Sequence, residues 1–202
     1  MIGIVNYGMG NIASVYNALE HMGAKCGIIT SPWEIKKYDK LIVPGVGAFG
    51  QAVANIKKIG YLEELNEFVY TLEKPILGIC LGMQLLLSES FEFGRHEGFR
   101  FINGQVLSFK EKNEKLRIPH VGWNTLNNCD DCTLTNNIQD KTFYFVHSYY
   151  CDICDEGVLV GTTEYGIQFQ SYVEKKNVFG TQFHPEKSQK SGLQILENFN
   201  AI

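Results

Sequence analysis

Four short apolar runs, most followed by an amphipathic stretch, fill the first ninety residues. IGIVNY precedes 11–22, KCGIIT precedes a polar link, KLIVPG precedes 50–72, and PILGIC precedes 81–90. Strands buried on both faces read as continuous apolar runs, and parallel neighbours need long crossovers between them. The alternation therefore predicts a mostly parallel sheet covered by helices. The second half changes rhythm: QVLSF, GWNTL, FYFVHSYY, GVLVGTTEYG, IQFQSYVEKKN and VFGTQFHP follow closely, with turn residues between them. Such spacing predicts antiparallel additions to that sheet, and a last helix is expected over about 189–200. No internal repeat, low-complexity tract or linker divides the chain. The expectation is a single three-layer α/β domain over 1–202.

With 20% charged residues, a net charge of −4 and no block of lysine and arginine, the surface is unsuited to nucleic acid or anionic lipid. The opening MIGIVNYGMG lacks the features of a signal peptide, and the longest apolar run, 76–87, is too short and too glycine-interrupted to span a bilayer. A cytoplasmic protein is expected. Its six cysteines are then reduced thiols, each needing its own chemical or steric reason.

One of them has such a reason. In KPILGICLGMQLL, Cys80 stands between Gly78 and Gly82 where a strand-like run passes into a helix-like one. G-x-C-x-G at that junction matches a nucleophile elbow, whose glycines permit a tight turn and whose helix N-terminus favours thiolate. Cys26, in AKCGIIT, suits a buried inert thiol. A thiolate nucleophile needs an acid/base partner. His21 and His96 lie in solvated contexts, and His120 and His147 are ambiguous. His184 ends an apolar strand in FHPE, where Glu186, two residues on, falls on the same side if strand geometry persists. That carboxylate would orient the imidazole. The glycines of Pro44-Gly45-Val46-Gly47 let backbone N–H groups turn toward a ligand at the sheet's carboxyl edge.

Taken in order, PGVG, GICLGMQ and FHPE resemble the triad (class I) glutamine amidotransferases, whose flavodoxin-like glutaminase domains carry these elements. NYGMGNIASV, IPHVGWN, YFVHSYY and QFHPEKSQ narrow the resemblance to the glutaminase subunits of imidazole glycerol phosphate synthase, over about 2–200. The resemblance implies that Cys80 attacks the side-chain amide of glutamine to give a γ-glutamyl thioester. His184 would protonate the leaving ammonia and then activate water, with Glu186 orienting it. Val46 and Leu81 would supply oxyanion N–H donors. Gly47, Gln84, Glu92, Ser148 and Tyr149 match glutamine-holding positions, Glu92 within the least family-like stretch, 88–98. His147 would be a structural or substrate-shell residue. No cofactor is implied. The implied partner is the cyclase (β/α barrel) subunit, which uses the ammonia to make imidazole glycerol phosphate and aminoimidazole carboxamide ribotide. Met9, Asn11, Trp123, Tyr144 and Lys187 match positions near that interface, although Trp123 also suits plain core. A sister amidotransferase feeding another synthase, such as one that modifies surface sugars, is the alternative within the family.

Two further patterns compete. Gly8-Met9-Gly10-Asn11-Ile12-Ala13 fits G-x-G-x-x-A, but the second strand ends IITS without the acidic residue a ribose needs, and Asn11 is a good helix N-cap in its own right. Cys129-x2-Cys132 and Cys151-x2-Cys154 have zinc-site spacing. However, KTFYFVHSYY read as one extended strand holds the pairs about 25 Å apart, against zinc–sulfur bonds of about 2.3 Å. No metal is expected.

Overall fold

β1 (Ile2–Val5), β2 (Cys26–Ile29), β3 (Lys40–Gly45) and β4 (Ile76–Cys80) pair in parallel in the order β2-β1-β3-β4, as their apolar runs predict. The computed structural model describes residues 1–202. Along β3 the side chains alternate between two cores: Leu41 and Val43 join one and Ile42 the other. A sheet buried on both faces between two helical layers accounts for that division.

The intervening segments depart from expectation in detail. α1 (Ile12–His21) forms as predicted, and Asn11 occupies its N-cap position, but the Asn11 side chain makes no capping hydrogen bond. The polar link contains a 3-10 helix over Pro32–Lys37, closed by a Ser31–Glu34 capping box. The expected single helix over 50–72 is instead α2 (Phe49–Ile59), a break at Gly60, α3 (Tyr61–Asn66) and a π-helical turn over Glu67–Thr71. α4 is only Leu81–Leu85 rather than 81–90. It stops early because the carbonyls of Leu85, Leu86 and Leu87 accept from the N–H groups of 99–102 instead of from the next helical turn. β5 (Glu89–Ser90) and β6 (His96–Glu97) form a small hairpin there, in the stretch that read least clearly.

β7 (Gly104–Ser108), α5 (Phe109–Lys112), β8 (His120–Thr125), β9 (Thr142–His147), β10 (Tyr149–Ile153), β11 (Leu159–Glu164), β12 (Gln168–Lys175), β13 (Val178–Thr181) and α6 (Gln189–Ala201) complete the chain. β7, β10 and β12 are antiparallel additions, with β11 on β12. Three strands differ from that expectation. β13 lies parallel to β4 and antiparallel to β12, so the last strand sits in the middle of the sheet. β8 and β9 leave the sheet as a separate antiparallel pair. FYFVHSYY is therefore two strands: the chain changes sheets at Ser148.

Candidate active site

Because β3, β4 and β13 are neighbours, their carboxyl ends stand side by side, with Gly45 in register with Cys80 and Thr181 with Ile79. The PGVG turn, the cysteine and the FHPE segment thus meet at one edge. Cys80 takes φ 55° and ψ −109°, a conformation that costs a non-glycine residue about 1–3 kcal/mol and marks functional sites. Neither Gly78 nor Gly82 adopts a positive φ. Their part is spatial: a Cβ on Gly82 would overlap the carbonyl oxygen of Val43, and one on Gly78 would strike the backbone of Gly82. Any side chain at either place would push α4 off the sheet. The positive φ itself falls on the cysteine.

β13 ends at Thr181, so His184 and Glu186 are not aligned by a continuing strand. A 3-10 turn over Pro185–Lys187 brings them together, and Nδ1 of His184 lies 2.8 Å from Oε1 of Glu186. Both side chains are almost wholly buried. The other ring nitrogen, Nε2, is buried without a nitrogen or oxygen partner. Burial opposes charge on the imidazole, but the neighbouring Cys80 sulfur and the Glu186 carboxylate, which Nδ1 meets directly, prevail and raise its pKa to about 10. The imidazole is therefore held in its protonated form at neutral pH beside the Cys80 sulfur.

A cleft of about 500 Å³ opens over Cys80, with Val46, Leu81, Gly47, Gln84, Glu92, Ser148 and Tyr149 among its walls. All residues expected to hold substrate or the oxyanion therefore share one cleft. Gly47 has φ 101°, which favours glycine strongly. Glu92 has a second occupation that the sequence did not signal: its Oε2 accepts from the N–H of Phe49, at 2.5 Å, capping α2, whose own N-cap residue is alanine. A cavity of about 530 Å³ at the opposite edge, beside Tyr70 and Lys176, is lined by neither cysteine nor histidine.

Gln182 is a site neighbour that the sequence reading does not name, and the pairing of His120 with His147 is a contact it does not predict. Gln182, fully buried, places Nε2 3.7 Å from the Cys80 sulfur. The available signal was a glutamine inside the apolar run VFGTQF. His120 and His147, facing each other in the β8–β9 register, lie 2.9 Å apart from Nδ1 to Nε2. His147 Nδ1 donates to the carbonyl of Tyr149, so its Nε2 accepts from His120. Desolvation lowers His147 to about 3 and His120 to about 4. An unfolded chain takes up these protons near pH 6.5, the folded one only far lower. The stability from the neutral pair is thus complete above about pH 6.5 and is lost as pH falls through about 4. Urea midpoints measured between pH 7 and 4.5 should fall steeply in the native chain and less so in a His120→Phe/His147→Phe double variant. Equal slopes would contradict the assignment.

Trp123 is half exposed and so is not core. Its ring packs edge-on to Tyr144, 6.0 Å between centroids, and the Lys187 ammonium lies 5.9 Å over Tyr144, making one exposed cluster. Asn11 and Met9 are half-buried, and Met9 lies close to Gly47 of the PGVG turn. The CxxC pairs do not converge. Cys129 and Cys132 lie in one core, Cys151 in the other, and Cys154 is exposed. The separation comes from the two faces of the sheet rather than from one continuous strand. Burial pushes the Cys132 thiol up to about 12 and raises those of Cys129, Cys151 and Cys26 as well, keeping them protonated. No helix is long and apolar enough to cross a membrane.

A strained cysteine, a buried histidine–carboxylate pair and a polar cleft on the carboxyl edge of an α/β sheet define a thiol-dependent acyl-transfer site. The chain belongs to the class-I glutamine amidotransferase family, whose model matches residues 3–201. It is 47% identical over 201 residues to the imidazole glycerol phosphate synthase subunit HisH of Sulfurimonas denitrificans, covering 98% of this chain and 97% of that protein. It is also 47% identical over 200 residues to subunit HisH 1 of Campylobacter jejuni strain RM1221, covering 98% of each. A crystal structure of a glutamine amidotransferase matches the fold with a TM-score of 0.78 at 19% identity, over 100% of this chain and 99% of that one.

Proposed function

We propose that the chain is the glutaminase subunit of an imidazole glycerol phosphate synthase, hydrolysing glutamine to glutamate and ammonia in histidine biosynthesis. The observation that carries the chemistry is the buried Glu186–His184 bond with Nε2 left for Cys80. The Cys80 thiolate attacks the amide carbon, and the oxyanion is met by the N–H groups of Val46 and Leu81. His184 gives its Nε2 proton to the departing ammonia, leaving the γ-glutamyl thioester. The now neutral imidazole takes a proton from water, hydroxide adds to the thioester, and the thiolate departs as glutamate forms. Glu186 holds the ring throughout. Gln84, Glu92, Gly47, Ser148 and Tyr149 hold the substrate. Gln84 spends its amide N–H groups on the Tyr149 carbonyl and on Gln182, which leaves its oxygen to accept from the substrate ammonium. Relatives nearly half identical over almost the full chain are named as this synthase subunit, which favours it over the surface-sugar alternative.

The partner in this reading is the cyclase barrel, docking on the surface of Met9, Asn11, Trp123, Tyr144 and Lys187. The half-exposed Val46 beside Gly47 suits a peptide that completes the oxyanion site only in the active complex. Glutamate release should be measured for the chain alone, with the barrel, and with the barrel plus its nucleotide ligand. The expected result is a rise in kcat of at least about 10²-fold, the worth of one oxyanion donor, with a much smaller change in KM. Equal kcat in all three would rule out gating. Failure to release glutamate in the full complex would overturn the function.

A further inference from the structure

Polar side chains beneath the cleft form one connected series whose directions are fixed by valence. A carbonyl only accepts, so the Tyr149 oxygen must receive a proton from Gln84 Nε2, at 3.2 Å. The same Gln84 nitrogen lies 3.1 Å from the side-chain amide of Gln182, which must turn its oxygen toward it. That leaves Gln182 Nε2 facing the Cys80 sulfur at 3.7 Å. His147 Nδ1 donates to the same Tyr149 oxygen, His120 donates to His147, and Asn124 Nδ2 donates to His120 Nε2 at 3.3 Å. Reversing the Gln182 amide would set two N–H groups against each other and leave an oxygen lone pair against the sulfur. In a site where Gln182 is fully buried, that costs the desolvation of each unpaired group.

We propose that Gln182 is a further catalytic residue, whose side-chain N–H donates to the Cys80 sulfur whenever that sulfur carries negative charge. The inference rests on the glutaminase reading of the site. An N–H cannot accept, so this contact favours thiolate over thiol; a protonated sulfur would instead point its hydrogen at the Val146 carbonyl, 3.9 Å away. The charge appears twice in a turnover: before attack on the amide, and again as the C–S bond of the tetrahedral adduct breaks and its electron pair returns to sulfur. Gln182 thus serves acylation through the nucleophile and deacylation through the leaving group. His184 is left free to move protons. The backbone supports this placement, because the Gln182 N–H is held by the Ser171 carbonyl at 2.9 Å just past the end of β13.

The test replaces Gln182 by methionine, which keeps its length but has no donor, and by glutamate, which keeps its shape but puts a carboxylate against the sulfur. The readout is the rate of Cys80 alkylation by iodoacetamide across pH 5–10, followed by peptide mass spectrometry in the full chain. The expected result is an alkaline displacement of the profile by about one pH unit for Gln182→Met, and further for Gln182→Glu. With glutamine, in complex with the barrel, kcat should fall about 10–10²-fold with KM changed less, as for loss of a contact to a charged group. An unchanged alkylation profile in either folded variant would overturn the proposal. Because alkylation needs no glutamine, that result would leave the glutaminase reading standing. Conversely, loss of that reading would show as an inactive native complex with the alkylation displacement intact.

Discussion

Cys80→Ala is expected to lower glutamine hydrolysis by roughly 10⁴-fold or more, because a covalent route through a thioester has no second thiol in the cleft. The other five cysteines do not line the cleft over Cys80. The same variant should leave ammonia-dependent turnover of the assembled synthase intact, since the exposed Trp123–Tyr144–Lys187 cluster is untouched. The assay compares product formation with glutamine and with ammonium chloride as nitrogen source. Hydrolysis retained in Cys80→Ala would remove the cysteine from the mechanism. Loss of both activities would mean that the substitution had disturbed the assembly.

The second large effect belongs to His184. His184→Asn loses both the proton donor to ammonia and the cation beside the sulfur, and general acid–base transfer alone is worth about 10²–10⁴-fold. Glu186→Gln should cost less, because an amide oxygen can still accept from Nδ1 of His184 while the charge is lost. Glutamate release by the three complexes gives the order. A Glu186→Gln defect larger than that of His184→Asn would reverse the assigned roles. The imidazole should also respond to Cys80: its pKa is raised to about 10 in part by that sulfur, so it should fall in Cys80→Ala as burial meets less opposition.

What the sequence made legible were features written locally. β1, β3 and β4 are continuous apolar runs, and the nucleophile is enclosed by glycines that no ordinary core thiol requires. The same locality explains the misses. Nothing near 81–90 reveals that the carbonyls of 85–87 are claimed by residues 99–102, which ends α4 early. Nothing in FYFVHSYY marks Ser148 as the point where the chain leaves one sheet for another, because strand-forming aromatic residues stand on both sides of it. The contact between Glu186 and His184, expected along a strand, forms through a 3-10 turn instead. A glutamine inside VFGTQF is a visible oddity, but its role needs the fold, because it depends on Gln84 and Tyr149, each remote in sequence.

The position of β13 carries a consequence for how the protein is made. β4 pairs with β3 on one edge and with β13 on the other, and its contact with β13 joins residues about a hundred positions apart. Closing so large a loop makes this pairing late and slow relative to the local βα units. During synthesis β3 and β4 emerge first, and Cys80 reaches its strand end while β13, Gln182 and His184 are still to be translated. On the roles proposed above, a growing chain therefore carries its nucleophile without its base, and would acquire the power to cleave glutamine only when its last strand is inserted into the middle of the sheet.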